Sequence, residues 1–345
     1  MKHIKYYILF FLCFVLISSF VVVKNKSSLF QYPKYWPKPQ YDFSKNPITE
    51  NGFQLGRHLF YDPILSRDNT ISCASCHLQQ TGFTHIDHDL SHGIDNRIGT
   101  RNSLTIMNIA WNKTFMWDGS VNHLEVQALA PIHNKNEMDE TLANVTTKLN
   151  NSLKYKTLFH KAFNDSTITG QRTLLALTQF VGSLITYNSK YDKYIRHETG
   201  GVFTNQEKNG LKIFRKHCAS CHKEPLFTNN EFKNNGLHID STLNDYGRML
   251  VTKKQKDSIK FKVPTLRNIQ FTAPYMHDGR FDNLQEVITH YTSSIQPSIT
   301  LAKELKKTIT LTHKEKVDLL VFLRTLTDKE FLFNKRYTFP KSAIH

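Results

Sequence analysis

Two copies of one five-residue motif, Cys-x-x-Cys-His, constrain this chain more than any other feature of its sequence. Residues 73–77 and 218–222 both read CASCH, and the two copies lie 145 residues apart. In c-type haem attachment the two thiols add to the haem vinyl groups as thioethers, and the adjacent histidine becomes an axial ligand of the iron. The sequence therefore predicts two covalently bound haem c groups, attached through Cys73, Cys76, His77, Cys218, Cys221 and His222.

The remaining cysteine usage argues against a disulfide framework. Of the five cysteines, only Cys13 lies outside the two motifs, and it falls in an apolar N-terminal segment. Zinc ribbons bring their cysteine pairs closer in sequence than Cys76 and Cys218, and a thioredoxin-like site requires a βαβ context that this sequence lacks. Both alternatives also leave His77 and His222 unexplained.

The chain repeats itself with an offset of 160 residues. The stretch MHDGRFDNL, residues 276–284, resembles MWDGSVNHL, residues 116–124, and Asn268-Ile269 repeats Asn108-Ile109. Each of these stretches follows a CxxCH motif. This self-similarity indicates a duplicated unit, and 345 residues are enough for two domains that each bury a core.

The N-terminus has the layout of a targeting segment. Residues 6–23 form an apolar run with lysines on both sides, which is typical of a signal peptide or of an N-terminal membrane anchor. No clear small-residue cleavage site follows, so both interpretations of residues 1–28 stay open. In either case the body of the protein is expected outside the inner membrane, in the periplasm, either soluble or anchored.

The chain is strongly basic, with a formal net charge of +16 from 45 basic and 29 acidic residues. Such a bias steers anionic partners toward a protein and speeds their encounter at low salt. The lysines are scattered, and no nucleic-acid-binding motif is visible. We therefore predict no nucleic-acid partner.

Local patterns around each motif are helical. Apolar spacing predicts helices over residues 49–61 and 171–195. Thr204 with Glu207, and Thr312 with Glu315, have the spacing of capping boxes at the start of two further helices. The polar stretch between the first motif and Trp117 is predicted to be a loop that wraps a haem edge. These patterns predict a mainly α fold.

Several stretches together resemble the bacterial di-haem cytochrome c peroxidases and the related di-haem enzymes of the MauG type. They are LGRHLFYDPILS, TRNSLTIMN, FMWDG and LRNIQFTAPYMHDGRF, in order with the two CASCH motifs, over residues 44 to 330. The resemblance implies two cytochrome-c-like haem domains in tandem, which we place at residues 44–196 and 203–335. It also implies a calcium ion between the two domains.

In this family the N-terminal haem reacts with hydrogen peroxide, and its open face needs a group that moves a proton between the two oxygens. Glu137 occupies the family position of that group, and Gln127 and Pro131 fall on the matching pocket positions. Trp117 matches the tryptophan that carries electrons between the haems. Asn102, Thr272 and Pro274 match the calcium site, where amide and backbone oxygens suit a hard cation.

The resemblance implies that the C-terminal haem takes electrons from a donor and holds a second axial ligand. The 160-residue offset pairs Pro131 with Tyr291, the family position of that ligand. Proline cannot bind iron and tyrosine can, so the first haem is predicted to be open and the second closed. Peroxidases usually place methionine here, whereas tyrosine is the MauG-like choice. Met249, Met276 and His290 are the alternative ligands.

Some peroxidases rest with a distal histidine on the first haem, supplied by a SIGH segment. Here the segment reads SHGI, so His92 is displaced by two positions and the ligand position falls on Gly93 or Ile94. We therefore predict a constitutively open site, with His92 as the alternative ligand. His85 and His88 are expected, like His92, to be solvated loop residues.

Three functions are compatible with these residues. The first is an exported di-haem cytochrome c peroxidase that reduces hydrogen peroxide to water with electrons from a small cytochrome c or cupredoxin. Tyr291 prompts the second, a MauG-like enzyme that oxidises a protein or small-molecule substrate. The third is a non-catalytic di-haem electron carrier. A homodimer is compatible with the resemblance, although no residue requires one.

Overall fold

The computed structural model describes residues 29–341, and the chain divides into two units, Met1–Gln31 and Tyr32–His345. Both CxxCH motifs lie in the second unit. The predicted signal peptide or anchor, residues 1–28, lies outside the described residues. Between residues 29 and 341 no helix is both long and apolar enough to cross a membrane.

The described chain is mainly helical, as the sequence predicts. Its α-helices are α1 (Glu50–Tyr61), α2 (Cys73–Cys76), α3 (Leu129–His133), α4 (Leu142–Asn150), α5 (Leu153–Phe163), α6 (Gly170–Gly182), α7 (Lys190–Ile195), α8 (Asn205–His217), α9 (Met249–Thr252), α10 (Leu284–Thr289), α11 (His313–Arg324) and α12 (Lys329–Leu332). A π-helical turn, His290–Ser294, continues α10. Two short antiparallel strands, β1 (Phe232–Lys233) and β2 (Phe261–Lys262), pair Phe232 with Lys262.

The predicted capping boxes are confirmed. Thr204 begins α8 by accepting a hydrogen bond from the Glu207 backbone N–H, while the Glu207 carboxylate accepts one from the Thr204 N–H. Thr312 and Glu315 begin α11 in the same way. Each box satisfies two N–H groups that the first helical turn leaves unpaired.

The single helix predicted over residues 171–195 is wrong, because the structure breaks it into α6 and α7. Between these helices Asp328 accepts three hydrogen bonds, from the Thr186 hydroxyl and from the Tyr187 and Asn188 backbone N–H groups, at 2.9–3.1 Å. The buried Asp328 carboxylate accepts hydrogen bonds from N–H groups that would otherwise pair within a continuous helix. The apolar spacing alone could not reveal a partner 140 residues away.

The buried apolar side chains form two clusters. The first includes Phe53, Leu59 and Phe180, and the second includes Phe214 and Phe322. Along the chain the first cluster ends at Leu184 and the second begins at Tyr191, while Phe331 and Leu332 of α12 return to the first. The division into two cytochrome-c-like domains, at the boundaries given above, stays a prediction.

Each cluster is built on one close helix crossing. A Cβ atom added to Gly56 of α1 would lie 2.0 Å from the Ala176 carbonyl oxygen of α6. In the second cluster, a Cβ atom added to Gly210 of α8 would lie 2.0 Å from the Asp318 carbonyl oxygen of α11. Real Cβ atoms do not come so close, so glycine is what lets these backbones touch. Helices α1 and α8 each precede a CxxCH motif, so the two crossings hold equivalent elements of the repeat.

The sequence repeat is also a repeat of backbone conformation. Asn108 and Asn268 both adopt left-handed angles, with φ of 54° and 56°, and each begins a short 3-10 helix. Met116 and Met276 are likewise left-handed, with φ of 66° and 78°. Left-handed angles are uncommon for residues other than glycine, so their recurrence at an offset of 160 residues supports duplication of the unit.

A fully buried ion pair connects α7 to the second cluster. The Arg267 guanidinium donates two hydrogen bonds of 2.8 Å to Asp192, and neither side chain is exposed to solvent. Asp192 also accepts from Ser189, and Arg267 donates to the Pro225 carbonyl and lies 4.6 Å over the Trp36 ring. Burial opposes ionisation of Asp192, but the guanidinium and Ser189 hold the pKa of this carboxyl below its usual value.

Asp192→Ala should lower the free energy of unfolding by about 3–5 kcal/mol, because it leaves a buried guanidinium without its counter-charge. Urea unfolding of the haem-loaded protein, followed by circular dichroism, measures the change. Asp165→Ala is the matched control, since Asp165 pairs with Arg172 at the surface and its loss should have little effect. Equal effects of the two substitutions would contradict the importance of the buried pair.

Candidate haem-binding sites

The N-terminal motif is held by local backbone structure. Cys73 and Cys76 lie in the one-turn helix α2, which Ser72 and Ser75 begin with a capping box. The ring of His77 follows, and its Nδ1 lies 2.8 Å from the carbonyl oxygen of Phe83. Because a carbonyl oxygen only accepts hydrogen bonds, Nδ1 carries the proton, and the other ring nitrogen, Nε2, is left to bind a metal.

The C-terminal motif repeats this arrangement. Nδ1 of His222 lies 3.2 Å from the Phe227 carbonyl oxygen and 3.1 Å from that of Pro264. Burial lowers the pKa of His222 to about 4 and also lowers the pKa of His77. Both imidazoles are therefore neutral at physiological pH, which is the form that binds a metal ion.

The two motifs line separate cavities that suit a haem group. Both cavities are lined mainly by apolar side chains. The four cysteines are free thiols, and burial raises the pKa of Cys73 and of Cys218 to about 12. Each site thus combines two neutral thiols, an oriented imidazole and an apolar cavity, which are the features that c-type haem attachment requires.

The N-terminal cavity brings together the side chains that the sequence analysis assigned to it. Gln127, Pro131 and Glu137 all line the cavity that contains Cys73, Cys76 and His77. Pro131 offers no atom that could bind iron, so the position equivalent to Tyr291 supplies no axial ligand here. The roles of these residues remain predictions, but their placement in one cavity is a property of the fold.

Glu137 is held in place from two directions. Its Oε1 accepts a hydrogen bond of 2.7 Å from the Asn134 side chain, and its backbone oxygen accepts one from Ile94. Gly93 packs so closely that an added Cβ would lie 2.1 Å from the Asn136 oxygen. Burial raises the pKa of Glu137, against the effect of Asn134, which lowers it. A buried carboxyl with a raised pKa is a stronger base than one in water.

The prediction of three solvated histidines is wrong for His85. Its side chain is buried, with Nδ1 3.1 Å from the Ser103 hydroxyl, and its ring contacts that of His88 at 4.2 Å. His92 is exposed, stacks on His88 at 4.3 Å and lines the N-terminal cavity. The three side chains therefore form one row, which loop composition could not predict.

Tyr291 lines the C-terminal cavity with Cys218, Cys221 and His222. Burial raises the pKa of Tyr291 to about 12, so without a metal its phenol is neutral. Of the alternative ligands, only Met276 also lines this cavity. His290 instead bonds the Asn235 carbonyl through Nε2, at 2.9 Å. Of the ligands considered from the sequence, Tyr291 and Met276 are therefore the two that line this cavity.

Trp117 belongs to the first half of the sequence but lines the C-terminal cavity. It is buried, its Nε1 donates a 2.8 Å hydrogen bond to the Asn102 carbonyl, and its own carbonyl accepts one from Lys262. The indole is therefore fixed by residues from both halves. The role of Trp117 as an electron relay stays a prediction.

The surroundings of Asn102 have some of the features of a cation-binding site. Its Nδ2 lies 2.6 Å from the Pro274 oxygen, and its Oδ1 is buried without a hydrogen-bond partner between residues 29 and 341. An oxygen left unpaired in a buried position is costly unless something binds it. Between residues 29 and 341, Thr272 makes no hydrogen bond to Asn102 or to Pro274. No group of three or more His, Cys, Asp or Glu side chains there could hold a metal, so a calcium ion would depend on amide and carbonyl oxygens.

The sequence analysis missed Lys262, which is 3% exposed and lines the C-terminal cavity. Its ammonium group donates a 2.7 Å hydrogen bond to the Thr114 carbonyl, and burial lowers the pKa of Lys262 to about 7. The repeat could have drawn attention to it, because the 160-residue offset pairs Lys262 with Asn102. A buried lysine has no other signature in a sequence that contains many surface lysines.

Comparison with known proteins agrees with this architecture. A family model described as di-haem cytochrome c peroxidase matches residues 50–200. The methylamine utilization protein MauG of Methylophilus methylotrophus is 31% identical over 326 residues, covering 90% of this chain and 94% of that protein. The cytochrome c551 peroxidase of Nitrosomonas europaea is 32% identical over 285 residues, covering 81% of each chain.

Solved structures give the same result. A MauG-like protein associated with microbial copper homeostasis superposes with a TM-score of 0.83 at 31% identity, covering 90% of this chain and 98% of that one. The di-haem peroxidase BthA from Burkholderia thailandensis shares the fold, with a TM-score of 0.72 at 20% identity over 83% of this chain and 88% of its own. The chain is a member of the di-haem cytochrome c peroxidase and MauG family, and membership of this family implies two c-type haems.

Proposed function

We propose that this protein is a periplasmic di-haem peroxidase that reduces hydrogen peroxide to water with electrons from a small redox protein. The observation that carries the proposal is the placement of Glu137 in the same cavity as His77, Cys73 and Cys76. The relatives named cytochrome c551 peroxidase support the choice of peroxide and of a protein donor. Residues 1–28 would export the chain or anchor it.

The reaction consumes one hydrogen peroxide, two electrons and two protons and yields two water molecules. When bound, the haem held by Cys73, Cys76 and His77 would supply the redox-active iron for cleavage of the peroxide O–O bond. The protein would then need to move a proton from one peroxide oxygen to the other. We assign this transfer to Glu137, which lines the same cavity as His77, and Gln127 also lines that cavity.

Glu137 is prepared for this step by its surroundings. Asn134 holds Oε1, and no residue between 29 and 341 bonds Oε2, which is left for the substrate. The raised pKa makes the Glu137 carboxylate a better proton acceptor than a carboxylate in water. Gln127 offers an amide that can orient a peroxide oxygen.

Electrons are proposed to enter at the C-terminal cavity and to pass through Trp117, which lines that cavity and is fixed by Asn102. Tyr291 would close the C-terminal haem by supplying its second axial ligand. An oxygen ligand favours ferric iron and lowers the reduction potential, whereas methionine raises it. A calcium ion at Asn102 and Pro274 would connect the two halves.

Tyr291 also favours a second candidate function, a MauG-like oxidation of a protein or small-molecule substrate. The relative named MauG and the MauG-like solved structure, each 31% identical to this chain, support it. In that function two oxidising equivalents would be shared between the haem groups and withdrawn from an external substrate. The two functions differ in the identity of the electron source, and they share the site at Glu137.

Glu137→Gln should lower peroxide turnover by about 10²–10⁴-fold without loss of bound haem, because the amide cannot accept the proton. The parent enzyme should lose activity as pH falls through the raised pKa of Glu137. The variant should not show this loss of activity at low pH. Stopped-flow mixing with peroxide at several pH values measures both. Glu198→Gln, at a surface ion pair with Arg196, is the matched control and should behave like the parent. Full activity in Glu137→Gln would contradict the role.

Tyr291→Met should raise the reduction potential of the C-terminal haem, because a thioether replaces a phenolic oxygen. Spectroelectrochemical titration measures the potential. Tyr275→Phe is the control, since Tyr275 lines the same cavity but its hydroxyl bonds the Ile269 carbonyl. If the potential is unchanged in Tyr291→Met, then another side chain, such as Met276, is the ligand.

The ferric protein should give one high-spin electron paramagnetic resonance signal, from the N-terminal haem, that cyanide converts to low-spin. His92→Ala should leave this signal unchanged, because the site is open without it. His88→Ala controls for disturbance of the histidine row. Two low-spin signals, one of which becomes high-spin in His92→Ala, would show that His92 closes the site. Two low-spin signals that never respond to cyanide would indicate an electron carrier.

A further inference from the structure

We propose that a lysine surface around the opening of the C-terminal cavity is a docking site for an acidic redox protein. This inference rests on the proposed function and names the chemical class of its electron partner. We define the lysine surface by eight exposed residues, Lys208, Lys212, Lys216, Lys223, Lys303, Lys306, Lys307 and Lys314.

Four lysines of this surface, Lys216, Lys223, Lys303 and Lys306, directly adjoin residues that line the C-terminal cavity. Ser220, inside the CxxCH motif, is exposed and lines this cavity, as do the partly exposed His217 and Leu305. Lys216 directly precedes His217, and Lys306 directly follows Leu305. Electron transfer slows steeply with distance, so a protein donor must approach the haem where its edge is least covered.

Helix geometry places several of these lysines on one face. Lys208, Lys212 and Lys216 are four residues apart along α8, so their side chains project from the same side of the helix. The buried side of α8 packs against α11 at Gly210. Lys314 lies in the first turn of α11, next to Glu315, which interacts electrostatically with Lys216. The charges of the two helices are therefore adjacent.

The acidic residues of the same segments do not neutralise the surface. Residues 203–224 and 303–316 contain ten lysines and arginines but four glutamates. Glu207 pairs with Lys190, Glu224 with Arg215 and Glu304 with Lys233, none of which belongs to the lysine surface. The fourth glutamate, Glu315, accepts the Thr312 N–H in its capping box. None of the eight lysines forms an ion pair with any residue between 29 and 341.

A positive surface that encloses a redox centre favours a partner with an acidic face. Complementary charge raises the rate of encounter and fixes orientation more than it raises affinity, which suits a donor that must bind, transfer one electron and leave. An anionic membrane would also be attracted to eight lysines. A redox protein is favoured because several of these lysines directly adjoin residues that line the C-terminal cavity.

The test compares two charge reversals of equal size. The surface variant carries Lys212→Glu, Lys216→Glu and Lys306→Glu. The control variant carries Lys45→Glu, Lys156→Glu and Lys161→Glu in the N-terminal half, and it changes the net charge by the same amount. Lys156 lies within a helix, Lys161 lies in the last turn of that helix and Lys45 lies in a loop, so the local environments match those of the surface variant. Both must retain the haem spectrum and helicity of the parent.

The measurement is peroxide-dependent oxidation of a reduced acidic plastocyanin at low salt, with the basic mitochondrial cytochrome c as the opposite probe. The surface variant should oxidise plastocyanin at least about tenfold more slowly than the parent and lose most of the salt dependence, while the control variant stays close to the parent. Equal slowing of both variants, or a parent that prefers the basic donor, would overturn the proposal.

Two further arms separate the alternatives. Hydroquinone, a small uncharged donor, should be oxidised equally by the parent and both variants. If the parent oxidises no hydroquinone, then the peroxidase proposal itself fails. If hydroquinone is oxidised but the surface variant oxidises both donor proteins at the same rate as the parent, then only the docking proposal fails. Loss of binding to anionic phospholipid vesicles in the surface variant, without a change in plastocyanin oxidation, would assign the surface to a membrane instead.

Discussion

The hydrogen bond between each motif histidine and a backbone carbonyl is the interaction on which both sites depend. His77 bonds the oxygen of Phe83, His222 lies within hydrogen-bonding distance of that of Phe227, and both phenylalanines have left-handed backbone angles. The bond selects the tautomer and leaves one nitrogen for iron. Holding each phenylalanine in that conformation requires a packed core behind it, which the two buried apolar clusters provide.

Duplication supplied one scaffold, and local divergence made its two copies different. The left-handed asparagines and methionines recur at the same offset, so the backbone that surrounds each haem has been retained. Some side chains at equivalent positions have not, since Pro131 corresponds to Tyr291 and Asn102 to Lys262. Chemical asymmetry therefore arises from substitutions at equivalent positions of the repeated segments.

The features predicted from sequence are those with local causes. The haem motifs, the capping boxes of α8 and α11 and the membership of Glu137 in the N-terminal cavity could be anticipated, because spacing and family resemblance encode them. The break between α6 and α7 could not, because its cause is Asp328, far along the chain. The burial of His85 and of Lys262 was missed for the same reason, since both depend on tertiary packing.

The π-helical turn after α10 has a consequence for how such proteins diversify. A turn of this kind accommodates one residue more than an α-helical turn, so the side chains beyond it are rotated by about 100°. Here His290 bonds the Asn235 carbonyl while its neighbour Tyr291 faces the cavity. Tightening the coil by one residue would present a different neighbour to the metal. A one-residue insertion or deletion in this helix could therefore change which side chain lines the cavity.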